Sequence, residues 1–224
     1  MALDRYANIS KAKLIFLSET KTESEIQLSN YYCLLKPKAN NPRRSGGVAL
    51  LHHTSLTVDR LPILETPEVD AIFAILKIGS KRVMACAVYC PPNSSKTLDE
   101  TLKCISNANS NLDKYKCQAL MVVGDLNARH QTWNDKTSNR AGEKLLEFIS
   151  SEQLHVVSCL KQETFLCDGG GSHIDLTIVS TSLVAKVESQ TADSEVELFT
   201  GAPYRGHIRV WTKFSTLSPV EGPC

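Results

Sequence analysis

The sequence predicts an α/β protein in which two mixed β-sheets pack face to face beneath covering helices. Short apolar and β-branched runs recur along the whole chain, only two segments show helical spacing, and some runs follow one another directly while others are separated by a helix. Such connections give sheets with both antiparallel and parallel neighbours, which a layered sandwich can bury. With 224 residues, 42% hydrophobic and 22% charged, the chain can build this core as one domain.

The elements follow from local pattern. Apolar side chains at helical spacing predict one helix around residues 98–105 and a second around 143–149. Residues 1–215 are assigned to the domain, and residues 216–224, which contain two prolines, to a loose tail. The apolar and β-branched runs predict strands at residues 14–17, 31–35, 48–51, 71–78, 83–89, 120–123, 154–157, 174–179 and 208–214.

Composition narrows the class of protein. The N-terminus lacks the charged start and apolar run of a secretory signal, and no apolar stretch approaches the roughly 18 residues of a membrane span, so we expect a soluble intracellular protein. The eight cysteines form no Cys-x-x-Cys pair and lie mostly in apolar segments. This pattern favours reduced, buried thiols over zinc sites or disulfides.

A net charge of +1 neither favours nor excludes a nucleic-acid partner, since a local positive patch is what meets phosphates. The densest basic group is Lys36, Lys38, Arg43 and Arg44, set among prolines and asparagines. It is a candidate substrate-binding loop. A solvated surface loop without a ligand explains the same charges.

The strongest chemical signal is the apolar strand that runs into Gly124, Asp125 and Asn127. A carboxylate and a carboxamide two residues apart at the end of a strand project to the same side. Asp125 can act as a base or orient a water, and Asn127 can donate to a phosphoryl oxygen. A simple turn that ends a strand has the same sequence pattern.

Three further predicted strands carry polar side chains that could act in chemistry. Glu19 follows an apolar strand and is a candidate ligand for Mg²⁺, which prefers oxygen ligands and often takes only one or two carboxylates. Asp175 interrupts an apolar strand, where a charge is costly unless paired, and His207 is its expected partner. Tyr89 ends a strand before two prolines and can donate to a phosphate. Solvated turns, a capping aspartate and a half-buried aromatic are the structural alternatives.

Seven short segments occur in a fixed order along the chain: Ser-Glu-Thr at 18–20, Tyr-Cys-Pro-Pro at 89–92, Gly-Asp-Leu-Asn-Ala-Arg-His at 124–130, Trp-Asn at 133–134, Thr-Phe at 164–165, Ile-Asp-Leu-Thr-Ile-Val at 174–179 and Gly-His at 206–207. Taken in this order, they resemble the endonuclease/exonuclease/phosphatase superfamily, and within it the apurinic-type endonuclease of non-LTR retrotransposons. The resemblance spans nearly the whole chain, and several ordered motifs are far more specific than any single one.

The resemblance implies a DNase-I-like fold and a Mg²⁺-dependent phosphodiesterase that nicks DNA, with Mn²⁺ as a possible substitute. It implies that Glu19 holds the metal, Tyr89 and Asn127 contact the scissile phosphate, Asp125 activates water and Asp175 orients His207. Thr164 matches a position beside the cleft in the retrotransposon group. DNA is then the partner, a reverse transcriptase domain belongs to the parent polyprotein, and the active protein works in the nucleus.

Two features depart from the family pattern. Only 18 residues precede Glu19, which predicts that the family's first strand is absent, and Gly206 stands where an aspartate usually precedes the histidine. A missing strand leaves its neighbour with an unpaired edge. Two alternatives to an active nuclease are therefore kept: a truncated, inactive domain that binds DNA, and a phosphoesterase of the same fold that acts on a lipid or nucleotide.

Overall fold

In the described residues, the chain folds around a central six-stranded sheet, with the two long helices on one face and two smaller sheets on the other. This computed structural model describes residues 11–37, 46–157, 163–167, 170–192 and 206–215. The predicted C-terminal tail, residues 216–224, lies outside them. None of the helices in the described part of the chain is both long and apolar enough to span a membrane.

The described residues form fourteen strands and three helices, with short 3-10 turns at Pro62–Leu64 and Gln131–Trp133. The strands are β1 (Leu14–Ser18), β2 (Tyr31–Lys36), β3 (Val48–His53), β4 (Thr57–Arg60), β5 (Asp70–Ile78), β6 (Lys81–Tyr89), β7 (Ala119–Asp125), β8 (Leu154–Val157), β9 (Phe165–Cys167), β10 (Gly170–Ser172), β11 (Asp175–Ser180), β12 (Val187–Ala192), β13 (Gly206–His207) and β14 (Val210–Phe214). The helices are α1 (Ser95–Ser110), α2 (Arg140–Ser151) and α3 (Thr181–Val184).

The central sheet has the strand order β4-β5-β6-β7-β11-β8, and three smaller sheets have the orders β1-β3-β2, β10-β9-β13 and β12-β14. Strands β6 and β7 are parallel.

Helices α1 and α2 cover one face of the central sheet. Leu102 and Ile105 of α1, and Leu145 of α2, join a cluster with buried side chains of the sheet such as Phe73 and Leu120. Full burial of side chains of this size contributes about 1.5–3 kcal/mol each. This apolar layer fixes the helices to the sheet.

The opposite face of the central sheet carries two of the small sheets side by side. Val48 and Leu50 of β3 pack on it through Ile72, and Phe214 of β14 packs near Met121. Within the described residues, β1 pairs only with β3, and β14 only with β12. Both strands line a mainly apolar cavity of about 810 Å³. The absence of a first strand stays a prediction; a β-strand edge left unpaired is what it would produce.

The predicted fold class, layered mixed sheets with covering helices, is confirmed. All nine predicted strands are present within a few residues; the one predicted at residues 208–214 is β14. The sequence pattern missed β4, β9, β10, β12 and β13 because these strands are short or polar. The predicted helix starts are late: α1 and α2 begin at Ser95 and Arg140, and Gly142 lies inside α2.

Among the described cysteines, six are free thiols. Cys86, Cys90, Cys104 and Cys117 are buried, whereas Cys167 is exposed, so not every cysteine is a core residue. Burial, with the charges of Asp125 and Asp70, raises the pKa of Cys90 to about 12. The thiol therefore stays protonated next to the acidic strand ends.

Gly124 allows β7 to approach β6 closely. A Cβ at this position would lie 1.8 Å from the carbonyl oxygen of Val88, and φ is +154°. We expect Gly124→Ala to lower the free energy of unfolding by roughly 3 kcal/mol or more, from overpacking and backbone strain together. Chemical denaturation measures this loss.

Gly79→Ala is the matched control, because Gly79 also has positive φ, +60°, but has open space where a Cβ would be. Gly79→Ala should lower the free energy of unfolding only by the cost of a positive φ for alanine, roughly 1 kcal/mol, without a steric clash. Equal losses in the two variants would contradict the close approach at Gly124.

Candidate active site

The candidate site lies where several strands of the central sheet end. In the register of the sheet, Asp125 on β7 is opposite Tyr89 on β6 and also opposite Asp175 on β11. Since β6 and β7 are parallel and β11 runs the other way, two strand ends and one strand start meet at one edge. Asp125 is therefore the middle member of a row of three polar side chains.

Asp125 is only 2% exposed. Its Oδ1 accepts a hydrogen bond from the backbone N–H of Asn127 at 2.8 Å, and its Oδ2 accepts one from Asn127 Nδ2 at 3.1 Å. Burial, and next the negative charge of Asp175, raise the pKa of Asp125 to about 7. A carboxyl group poised near neutral pH is suited to proton transfer.

His207 lies between two carboxylates. Its Nδ1 is 2.9 Å from Asp175 Oδ2, and its Nε2 is 3.7 Å from Asp125 Oδ2. Burial opposes the charged imidazolium, but the hydrogen bond and charge of Asp175, together with the charge of Asp125, raise the pKa of His207 overall. Nδ1–H donates to Asp175, which orients the ring and turns Nε2 toward Asp125. His207 pairs with Phe165 in the small sheet β10-β9-β13, and the last strand, β14, begins only at Val210.

Glu19 follows β1 and reaches the same edge from the layer above. The hydroxyl of Tyr89 donates to Glu19 Oε1 at 2.5 Å, and Lys21 Nζ is 3.1 Å from Oε2. Burial alone would raise the pKa of Glu19, but the contacts with Tyr89 and Lys21 lower it, so the carboxylate is ionised. The backbone of Glu19 has φ +52°.

The oxygen chemistry at Glu19 fits a hard cation. In the described part of the chain, no three His, Cys, Asp or Glu side chains form a cluster that would hold a metal on their own. Mg²⁺ does not need such a cluster, because it usually keeps several waters and binds through one or two carboxylates and a substrate phosphate. Glu19 is the residue that would hold Mg²⁺. Its carboxylate already forms an ion pair with Lys21, which shows that a positive charge fits at this position.

In the structure, the side chains of Asn127 and Thr164 form hydrogen bonds to other groups of the protein. Asn127 Nδ2 donates to the carbonyl of Cys90 at 3.0 Å as well as to Asp125. Thr164 is 1% exposed, and its hydroxyl accepts from the backbone N–H of Ile174 and of Asp175, each at 3.1 Å. Thr164 therefore fixes the start of β11; a contact with substrate at either residue stays a prediction.

The predicted basic loop is described only at Lys36, because Lys38, Arg43 and Arg44 lie outside the described residues. Lys36 is the last residue of β2, and its Nζ donates to the carbonyl of Thr66 at 2.7 Å. Partial burial lowers the pKa of Lys36.

Two contributors were missed from the sequence. The Ser18 hydroxyl accepts from the backbone N–H of Asp125 at 3.2 Å and donates to the carbonyl of Val88 at 3.3 Å, which links β1 to the central sheet beside the site. Asn139, the N-cap of α2, contacts the loop that carries Asn127. An asparagine directly before a helix is a recognisable cap, and this signal would have placed the helix start correctly.

Comparison with known proteins decides the family. The Endonuclease-reverse transcriptase family model matches residues 83–197, just over half of the chain. The chain belongs to this family. The match contains Tyr89, Asp125, Asn127 and Asp175, and it confirms the resemblance to retrotransposon endonucleases of the endonuclease/exonuclease/phosphatase superfamily.

Relatives and solved structures agree with this Endonuclease-reverse transcriptase assignment. The chain is 26% identical over 170 residues to the probable RNA-directed DNA polymerase from transposon X-element of Drosophila melanogaster, covering 74% of this chain and 18% of that protein. The endonuclease domain of TRAS1, a telomere-specific non-LTR retrotransposon, is similar with a TM-score of 0.76 and 15% identity, covering 96% of this chain and 92% of that one. The AP endonuclease LMAP from Leishmania major has a TM-score of 0.70 and 13% identity, covering 95% of this chain and 81% of that one. These structures share the fold, and the chain spans less than a fifth of the curated relative.

Proposed function

We propose that this member of the Endonuclease-reverse transcriptase family is a metal-dependent endonuclease that nicks DNA by hydrolysing one phosphodiester. The observation that carries the proposal is the row of Tyr89, Asp125 and Asp175 at one sheet edge, with His207 between the two carboxylates. A general base with a pKa near neutral and an oriented imidazole beside it are the groups needed for attack of water on a phosphate.

Asp125 is the base in this mechanism. Its carboxylate takes a proton from the attacking water, and both of its oxygens are oriented by the two N–H donors of Asn127. Since proton transfer is efficient when the pKa of the base lies near the working pH, a value of about 7 suits this role.

His207 stabilises negative charge. The contact with Asp175 favours the protonated ring, whose Nε2–H is directed away from Asp175 and can donate to a phosphoryl oxygen. A donor fixed in place before the reaction stabilises developing charge without reorganisation. Asp175 is a positioning residue in this scheme, and Thr164 holds its backbone.

Mg²⁺ held by Glu19 would act as a Lewis acid on the phosphate. Tyr89 positions the Glu19 carboxylate through its hydroxyl. Mn²⁺ accepts the same oxygen ligands and is expected to substitute.

The parent protein is proposed to be larger than this chain. The curated relatives are RNA-directed DNA polymerases of transposons, of which the chain spans 18% and 16%. A nick that leaves a 3′ hydroxyl on chromosomal DNA would supply the primer for such a polymerase. We therefore propose a reverse transcriptase domain in the same polypeptide, and the nucleus as the place of action.

Nicking of supercoiled plasmid tests the proposal. The purified chain is incubated with plasmid in Mg²⁺, Mn²⁺ or EDTA, and we expect open circles with either metal and none with EDTA. Asp113→Asn, which removes an exposed carboxylate from a turn after α1, is the matched control and should nick like the wild type.

Failure has two informative forms. Folded protein that shifts DNA in a gel but leaves it supercoiled would point to the inactive DNA-binding alternative. Hydrolysis of a nucleotide or lipid phosphoester without plasmid nicking would point to a different substrate on the same site.

A further inference from the structure

We propose that Asn139 is a positioning residue of the active site: its side chain fixes the loop that carries Asn127, and Asn127 in turn holds Asp125. The inference rests on the proposed nuclease function and extends it to a side chain that lies beyond the strand ends.

Asn139 uses both ends of its carboxamide. Its Oδ1 accepts from the backbone N–H of Gly142 at 2.7 Å and of Arg129 at 3.0 Å, and its Nδ2 donates to the carbonyl of Asn127 at 3.0 Å. The backbone N–H of Asn139 also donates to the carbonyl of Arg129 at 3.0 Å. Asn139 therefore makes three hydrogen bonds to the loop backbone at residues 127–129.

These hydrogen bonds matter because Asn127 has a left-handed backbone conformation, with φ +47°. Asparagine adopts this conformation more readily than most residues, but it still costs more there than glycine does, so surrounding contacts help to keep it. This conformation directs the backbone N–H and the side-chain Nδ2 of Asn127 toward the two oxygens of Asp125. Release of the Asn127 carbonyl would let both donors move.

Helix α2 gives Asn139 a rigid base. A Cβ on Gly142 would lie 1.8 Å from the carbonyl oxygen of Arg129, so the first turn of the helix packs directly on the loop backbone. Leu145 and Ile149 bury the helix against the central sheet. Asn139 thus ties the loop to an element that the core holds in place.

An ordinary helix cap is the competing explanation, and substitutions separate the two. Serine caps a helix about as well as asparagine, so Asn139→Ser keeps the bond to Gly142 but is too short to reach Asn127. Asn139→Asp keeps both acceptor bonds and loses only the donation to Asn127. We expect both variants to unfold near the wild-type temperature, with kcat lower by roughly 10- to 100-fold and KM for DNA within about twofold, because displaced groups slow chemistry more than binding.

Hydrogen exchange supplies a readout independent of activity. In Asn139→Ser, the backbone amide of Asn127 should exchange faster while that of Gly142 stays protected. The proposal requires both the kcat loss and the faster exchange; wild-type values for either would reduce Asn139 to a helix cap. If the wild-type chain does not nick DNA, the proposed function fails, and unchanged exchange at Asn127 would separately overturn the positioning role.

Discussion

Replacement of Asp125 by asparagine is expected to lower the rate of plasmid nicking roughly 10³-fold or more without destabilising the protein at pH 8. The rate falls because the variant lacks the base that takes the proton from water. The carboxamide of the variant keeps an oxygen that can accept from the backbone N–H of Asn127. Its NH2 group loses the bond from Asn127 Nδ2, which still donates to the carbonyl of Cys90, and this loss is offset at pH 8 by removal of a buried charge.

The stability part of this prediction follows from the pKa of Asp125. Burial raises that pKa from 3.8 to about 7, so the folded protein binds an extra proton between these values. The wild type therefore loses stability as the pH rises through this window, by up to a few kcal/mol, while the variant does not. The unfolding temperature of Asp125→Asn relative to wild type should increase from pH 5 to pH 8; a decrease would show that Asp125 is ionised favourably in the fold.

Asp175→Asn is expected to slow nicking roughly 100-fold and to move the whole pH profile to lower pH. The alkaline limb of the profile reports loss of the proton from His207. Because the charge of Asp175 raises the pKa of His207, its removal lowers that pKa and moves the alkaline limb to lower pH. It also removes the like charge that raises the pKa of Asp125, so the acid limb moves down as well. Initial rates from pH 5 to pH 9 at constant, saturating Mg²⁺ measure both limbs.

Two controls accompany the Asp175 experiment. Asp113→Asn should leave both limbs in place, and His207→Ala should remove the alkaline limb. Limbs that move in opposite directions in Asp175→Asn would contradict the arrangement of one imidazole between two carboxylates.

The strands that frame the site were predictable because each is an apolar run that stops at a polar residue. Asp125 and Glu19 could be located in this way, and Asp175 was marked by a charge inside an apolar strand. Local pattern carries this information because burial of one sheet face requires it. The fold class followed from the same runs.

The contacts that complete the site were beyond local pattern. The hydroxyl of Tyr89 meets Glu19 across 70 residues, and the Ser18 hydroxyl joins Asp125 across 107. Such contacts depend on how sheets stack and on the register between strands, which composition does not specify. The position of His207 in a separate short sheet likewise depends on strand pairing, here with Phe165.

The site is spread unevenly over the chain. The six-stranded sheet uses residues 57–180, but Glu19 and His207 reach its edge from outside that span. A shortened copy of such a sequence can thus keep the six-stranded sheet and its core while losing Glu19, the carboxylate proposed to hold the metal, or the imidazole of His207. If the chain nicks DNA as proposed, loss of either terminal segment would stop cutting while the central sheet and its core remain, so a copy of such an element can fold and yet be unable to move.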